Sequence, residues 1–307
     1  MTAKIRIGTR GSPLSLAQAR ELVRRLAAAD PALGEAGAVE IVPIRTTGDR
    51  LRTPSLAEVG GKGLFVKELD EAIRDGRVDL AVHSMKDVPV ERPDGLVLAA
   101  LLPREDPRDA LVANGAASIA ALVPGAVVGT SSPRRRAMLL HLRADLRIVP
   151  FRGNVDTRLK KLAAGEVDAT LLALAGLKRI GRADAATAVL SPEDFLPAAC
   201  QGAIGIECRA ADDRLRAALG RVNDADTACR IAAERALLAA LGGSCVTPVA
   251  ALAELDGERL SLRGQILMPD GTNLVETRLE GERADAAELG ATAGAALKRR
   301  APPGFFG

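Results

Sequence analysis

Ile7-Gly8-Thr9-Arg10-Gly11-Ser12-Pro13, near the start of the chain, has a counterpart in Val128-Gly129-Thr130-Ser131-Ser132-Pro133. Each copy follows an apolar, strand-like run, Ile5 to Ile7 in the first and Ala126 to Val128 in the second. Each precedes a helical pattern, with Ser12 and Ser132 suited to the N-cap and Pro13 and Pro133 to the first helical position. In the first helix Leu16, Ala19, Val23 and Leu26 are predicted to share the buried face. A second pair follows, Gly76-Arg77-Val78-Asp79-Leu80-Ala81-Val82 and Gly165-Glu166-Val167-Asp168-Ala169-Thr170-Leu171. Each glycine reads as the residue just past an amphipathic helix, predicted over 64–75 and 155–164, and leads into a strand. Strand–helix and helix–strand units thus occur in the same order twice. That order predicts two similar α/β domains facing each other across a ligand cleft.

The remainder differs. An alanine-rich helix is predicted over 227–241, ended by Gly242-Gly243. Strand-like runs follow at 248–255, 259–267 and 274–279, with Asp256-Gly257 as a hairpin signal. A closing helix is predicted over 284–300, and the tail from Ala301 is expected to fray. This part reads as a small α+β domain.

Composition narrows the function. A chain of 307 residues allows two or three domains at about 150 residues each. A net charge of +3 is too small for a general polyanion binder, so basic function must come from local clusters. Aromatics are 2%, with no Trp or Tyr, which disfavours base stacking on single-stranded nucleic acid. Two histidines and no C-x-x-C pair among Cys200, Cys208, Cys229 and Cys245 argue against a metal site. The N-terminus lacks a signal-peptide run, and no apolar stretch reaches the roughly 18 residues of a membrane span. The expectation is a cytoplasmic protein with reduced thiols.

The chemistry concentrates where strands end. Val78 to Val82 reads as a buried strand that runs into His83, Ser84, Lys86 and Asp87. Charge there is costly unless paired or working, and ligands of open α/β sheets bind at that end of the strands. An acid beside a cation points to proton transfer on an anionic substrate. An aspartate after a lysine is ordinarily a surface ion pair, but the apolar run before it and Val88-Pro89 after it imply enclosure. His83 reads as structural. Arg134, Arg135 and Arg136 fall in the first turn of a helix, where the macrodipole disfavours cations, while free N–H groups and Thr130, Ser131 and Ser132 favour an anion. Arg152, Arg158, Lys178, Arg179 and Arg10 lie at similar junctions, and together these residues build a pocket for several carboxylates or phosphates. Gly60-Gly61-Lys62-Gly63 reads as a phosphate cradle or a mobile loop. Cys245, in a glycine-rich loop, is the candidate reactive thiol, and the other cysteines read as packing residues.

These residues resemble the porphobilinogen deaminase (hydroxymethylbilane synthase) family of tetrapyrrole and heme biosynthesis. The likeness spans Gly8-Thr9-Arg10 with Ser12-Pro13-Leu14, 59–65, Val82 to Pro89, 104–109, Gly129 to Arg135, Arg152-Gly153-Asn154, 174–179, and Gln201-Gly202-Ala203 with Glu207-Cys208-Arg209. The resemblance implies two periplasmic-binding-protein-like α/β domains flanking a cleft, 1–102 with 200–222 and 103–199. It also implies an α+β cofactor-carrying domain, 223–307. It implies a dipyrromethane cofactor on Cys245 through a thioether, and four porphobilinogen units joined with loss of ammonia to give hydroxymethylbilane. By the same resemblance Asp87 is catalytic. Ser12, Lys86, Thr130, Ser131, Ser132, Arg134, Arg135 and Arg158 bind the cofactor, and Arg10, Arg152, Arg158 and Arg179 bind substrate. Arg136 has no role and is placed at the surface. Loss of ammonia from an aminomethylpyrrole gives an electron-poor azafulvene, whose charge a carboxylate near the pyrrole N–H stabilises. Pro133 stands where many relatives carry leucine, and Gly243-Ser244-Cys245-Val246 departs from the commoner run. The expected partner is porphobilinogen, with no nucleic acid and no membrane, and the expected state is a monomer. The competing readings are a non-catalytic polycarboxylate-binding module, which needs neither Asp87 nor Cys245, and a nucleic-acid binder resting on Arg134 to Arg136.

Overall fold

A computed structural model describes residues 4–50, 63, 65–242 and 247–306. The chain divides into two compact units, Met1–Glu105 with Ala203–Ala228, and Asp106–Gly202 with Cys229–Gly307.

In the first unit a five-stranded sheet orders Val39–Ile44, Ile5–Arg10, Leu80–Ser84, Ile204–Arg209 and Leu96–Leu101. Ile5–Arg10 is parallel to both neighbours, whereas Ile204–Arg209, arriving from a distant part of the chain, is antiparallel to both of its own. The second unit repeats the scheme with Arg147–Val149, Val127–Gly129, Ala169–Ala173, Asp109–Ala113 and Ala188–Val189. Here Val127–Gly129 is the doubly parallel strand and Asp109–Ala113 the antiparallel one. The duplicated motifs therefore mark duplicated sheet positions, and the α/β class holds for both.

The repeated residues perform the same work twice. Ser12 caps the helix Pro13–Ala29 by accepting the Ser15 N–H at 3.1 Å, and Ser132 caps Pro133–Leu142 by accepting that of Arg135. Each proline takes the first turn, where its missing N–H is not needed. Helices Lys67–Arg74 and Val155–Ala163 end in the same paired bonds. Gly76 N donates to Ile73 O and Arg77 N to Ala72 O, as Gly165 N does to Leu162 O and Glu166 N to Lys161 O. The closure needs a left-handed residue, and Gly76 and Gly165 have φ of +68° and +76°. The predicted start of the first of these helices, Leu64, lies outside the described residues.

The buried face of Pro13–Ala29 departs from the sequence reading. It consists of Ser15, Gln18, Ala19, Leu22 and Leu26, and Leu16 and Val23 are half-buried. Polar partners turn the helix: Gln18 Nε2 donates to Ser84 Oγ at 2.8 Å, and Thr9 Oγ1 to the Ser15 carbonyl at 3.2 Å. A hydrophobic periodicity cannot see polar residues that are buried because they are satisfied.

The C-terminal sheet is the antiparallel Val249–Asp256, Arg259–Ile266 and Val275–Glu282. Asp256 pairs with Arg259, so Gly257-Glu258 forms the two-residue turn, with Gly257 at φ +57°. Its inward residues Ala250 and Leu252 join Leu111, Val128, Leu139 and Leu171 in one core. Helices Ala225–Ala240 and Ala286–Arg300 approach closely through small residues; a Cβ on Gly290 would lie 2.2 Å from the Ala233 carbonyl oxygen. The tail after Ala301 is not frayed as expected, because Phe305 is buried.

Gly129 is needed for space: an added Cβ would lie 2.6 Å from Phe151 Cγ. Gly129→Ala is expected to cost about 1–3 kcal/mol through overpacking. Urea unfolding followed by circular dichroism measures it, and an unchanged midpoint would show that Phe151 moves freely.

Candidate active site

In the first unit the buried strand Leu80–Ser84 passes into a single 3-10 turn, Met85–Asp87. The turn is tied at both ends, Met85 N donating to Ala203 O at 3.0 Å and Val88 N to Met85 O at 3.2 Å. Lys86 is exposed and Asp87 half-buried. Asp87 lines a small cavity of about 20 Å³ with Arg10, Gln18, Phe65, His83 and Ser84. A larger hollow of about 470 Å³, lined by Val42, Glu68, Glu71 and Arg77 among others, contains none of the candidate residues.

Arg10 is placed by two partners absent from the sequence reading. Its Nε donates to Asp49 Oδ1 at 3.1 Å, and its guanidinium carbon stands 4.1 Å from the Phe65 ring centre. Burial opposes ionisation of Asp49, but hydrogen bonds from Arg10 and Thr46 outweigh it and hold the carboxyl below its ordinary range.

His83 belongs to a buried ionic cluster. Its Nε2 lies 3.3 Å from Glu207, which also accepts Arg92 Nε at 2.8 Å and Nη2 at 2.6 Å. Arg92 Nη2 reaches Asp70 at 2.7 Å. Burial opposes ionisation of Glu207 as well, yet His83 and Arg92 keep it below its usual range. Asp70 behaves oppositely, pushed up to about 6 by burial and by the Glu207 charge. Asp70, His83 and Glu207 bring metal-ligating atoms within 4.8 Å of one another. The Arg92 guanidinium already bridges the two carboxylates, so the cation of this cluster is an arginine.

In the second unit the strand Val127–Gly129 leads through Thr130-Ser131-Ser132 into the helix Pro133–Leu142. Thr130 Oγ1 accepts the Ser132 N–H and Ser131 Oγ the Phe151 N–H, each at 3.1 Å. Arg134 and Arg135 are buried and both face Asp109, each 2.6 Å from it. The sequence reading turned these guanidinium groups toward a ligand and missed their internal partner. Arg134 Nη1 also donates to Leu196 O at 2.8 Å, Arg135 Nη1 to Leu171 O at 2.7 Å, and Gln201 Nε2 to Asp109 Oδ1 at 3.1 Å. Burial alone would raise the Asp109 pKa, but the two arginines drive it far below the carboxylate range.

The other candidate basic residues of this unit have backbone and carboxylate neighbours. Arg158 Nε donates to Gly153 O at 2.9 Å and Arg179 Nη2 to Gly202 O at 2.8 Å, while Lys178 stands 3.8 Å from Asp106. Arg152 is half-buried and Arg136 exposed. Cys200 and Cys208 are buried, and burial raises the Cys208 thiol to about 11. Cys245, Gly60, Gly61 and Lys62 lie outside the described residues.

The Asp70 shift carries a signed prediction. Its folded pKa, about 6, lies above the roughly 3.9 of an unfolded chain. The folded state therefore holds this proton more tightly, and the stability it contributes, full at low pH, is lost as pH rises through about 6. Wild type is expected to lose stability relative to Asp70→Asn between pH 4.5 and 7, measured by urea unfolding at both pH values. A constant difference would remove the shift.

Comparison with known proteins gives the family. Residues 5–217 match the family described as porphobilinogen deaminase, dipyromethane cofactor binding domain, and residues 228–299 match porphobilinogen deaminase, C-terminal domain. Porphobilinogen deaminase of Nitrobacter hamburgensis is 53% identical, with 98% of this chain and 94% of that protein covered. That of Paracoccus denitrificans is 52% identical, covering 98% and 96%, and the chloroplastic enzyme of Oryza sativa subsp. japonica 52%, covering 98% and 85%. Among solved structures, a putative methionine-binding lipoprotein of Bacillus subtilis aligns with 70% of this chain and 90% of its own at 15% identity and a TM-score of 0.42. With both family matches in chain order and full-length relatives above half identity, the chain belongs to the porphobilinogen deaminase family.

Proposed function

We propose that Asp87 is the catalytic carboxylate of this chain, and that the arginines and hydroxyls at the strand ends bind carboxylates of cofactor and substrate. The reaction is the family's: a transferase condenses four porphobilinogen molecules, each losing ammonia, into hydroxymethylbilane on dipyrromethane. The observation that carries the Asp87 assignment is its position, half-buried on a tied turn at the end of a buried strand, sharing a small cavity with Arg10. A carboxylate so placed can stabilise positive charge on a pyrrole and move a proton.

The residues of the second unit fit dipyrromethane, whose acetate and propionate groups are carboxylates. Arg134 and Arg135 share the Asp109 carboxylate, two guanidinium groups to one carboxylate among the described ion pairs. Arg134 Nε is buried without a hydrogen-bond partner among the described residues. Thr130, Ser131 and Ser132 stand at the adjoining helix N-terminus, where anions are favoured. When bound, the cofactor supplies the pyrrole carbon to which substrate is joined. Ser12, Lys86 and Arg158 complete its proposed clamps, Arg10, Arg152, Arg158 and Arg179 take substrate carboxylates, and Cys245 forms the thioether. Residues 1–102 with 200–222 and 103–199 are the proposed α/β domains, and 223–307 the proposed cofactor-carrying domain.

No helix among the described residues is long and apolar enough to cross a membrane. The proposed setting is the cytoplasm, with a monomer acting on a small molecule and no nucleic-acid partner; the modest net charge of +3 supports it.

Intact mass is expected to exceed the sequence mass by two pyrrole units, mapped by peptide digestion to Cys245. Unmodified protein that makes tetrapyrrole would end the Cys245 assignment. Asp87→Asn is expected to keep fold and cofactor while porphobilinogen consumption falls about 100-fold or more; near-normal turnover would remove Asp87 as the catalyst.

A further inference from the structure

We propose that Gly205 is a positioning residue: its missing side chain seats Met85 against the sheet and so sets where the Asp87 turn lies. The proposal rests on the reading of Asp87 given above.

Gly205 lies on the antiparallel strand Ile204–Arg209, opposite His83 on one side and Leu101 on the other. Its backbone is not in the left-handed region, so conformational freedom does not explain the glycine. Space does. A Cβ at 205 would lie 2.1 Å from Met85 Sδ, 3.1 Å from Met85 Cγ and 2.8 Å from Leu98 Cδ1. The first distance is far inside van der Waals contact, and Sδ is a mid-chain atom, so a terminal rotation alone does not relieve it.

Met85 opens the 3-10 turn that holds Asp87 and is itself 1% exposed. Two contacts to one short segment fix it: its N–H bonds the Ala203 carbonyl at 3.0 Å, and its thioether lies over Gly205. The turn is three residues long and closed by Val88 N to Met85 O. It has little slack, so lifting Met85 off the sheet carries Asp87 with it. Misplacing a catalytic group by about 1 Å costs on the order of 100-fold in rate.

The test uses the holoenzyme. Gly205→Ala is expected to retain its cofactor by intact mass and to lose about 10- to 100-fold in kcat with a smaller change in KM. A crystal structure of this variant should show the Met85–Asp87 turn displaced. Met85→Ala, which loosens the turn without overpacking and keeps the test open if Gly205→Ala folds poorly, is expected to lose about 10-fold in kcat. The double variant Gly205→Ala with Met85→Ala, in which the new methyl enters the vacated space, should turn over faster than Gly205→Ala alone. That rescue is what a general weakening of the sheet would not give. Wild-type kcat in Gly205→Ala, or a double variant slower than Gly205→Ala alone, overturns the proposal. Asp87→Asn run in parallel separates the failures. If it is slow and Gly205→Ala is not, only the positioning role falls; if it turns over normally, the catalytic reading falls and this inference with it.

Discussion

Each unit of this chain buries a carboxylate on the antiparallel strand of its sheet, and each tolerates that charge only because arginine reaches it. Glu207 lies on Ile204–Arg209 and is met by Arg92 and His83; Asp109 opens Asp109–Ala113 and is met by Arg134 and Arg135. An unpaired carboxylate at either place would cost several kcal/mol after relaxation. The arginines are thus conditions for the sheets as well as candidates for ligand binding. The two clusters differ in balance. Around Glu207 a second acid, Asp70, enters, and the field of Glu207 helps drive its pKa up, so the cluster contains its own proton acceptor. Around Asp109 the excess is positive.

That difference distinguishes the two units. The first unit has an arginine-bridged pair of carboxylates behind the strand that leads to Asp87, and that carboxylate emerges on a turn tied to Ala203 and seated over Gly205. The second unit places two arginines on one carboxylate at a helix N-terminus already lined with hydroxyls. The macrodipole works against arginine there by a few tenths of a kcal/mol to about 1 kcal/mol. A buried pair with Asp109, whose disruption typically costs about 3–5 kcal/mol, outweighs that. Rigid burial fixes the position of the positive charge before any ligand arrives, and preorganised charge of this kind is what acts most strongly on an anionic group.

Local signals were legible in the sequence. The two serine caps, the two N1 prolines and the two glycine-terminated helices depend on residues within one turn of each other, and all appear where the repeated motifs placed them. The strand that leads to Asp87 is legible as an apolar run meeting charge. The partners were not legible, because they lie far away along the chain. Arg10 and Asp49 are 39 residues apart, Arg134 and Asp109 25, and Arg92 and Glu207 115. No periodicity encodes such pairings. The rotated face of the first helix failed for a related reason, since Gln18 is buried by a hydrogen bond to Ser84, 66 residues on.

The cysteines show how burial sorts chemistry. A thiolate is needed both for alkylation and for metal binding, and an apolar surrounding disfavours it. Cys208, buried in the first sheet with its thiol pushed up to about 11, is protonated at neutral pH and enclosed by the core. Cys200 is equally enclosed, its backbone N–H held by the buried Glu234 carboxylate. The core thus encloses both thiols. A thiol outside such a core needs only ordinary thiolate access to be alkylated in preference to these two.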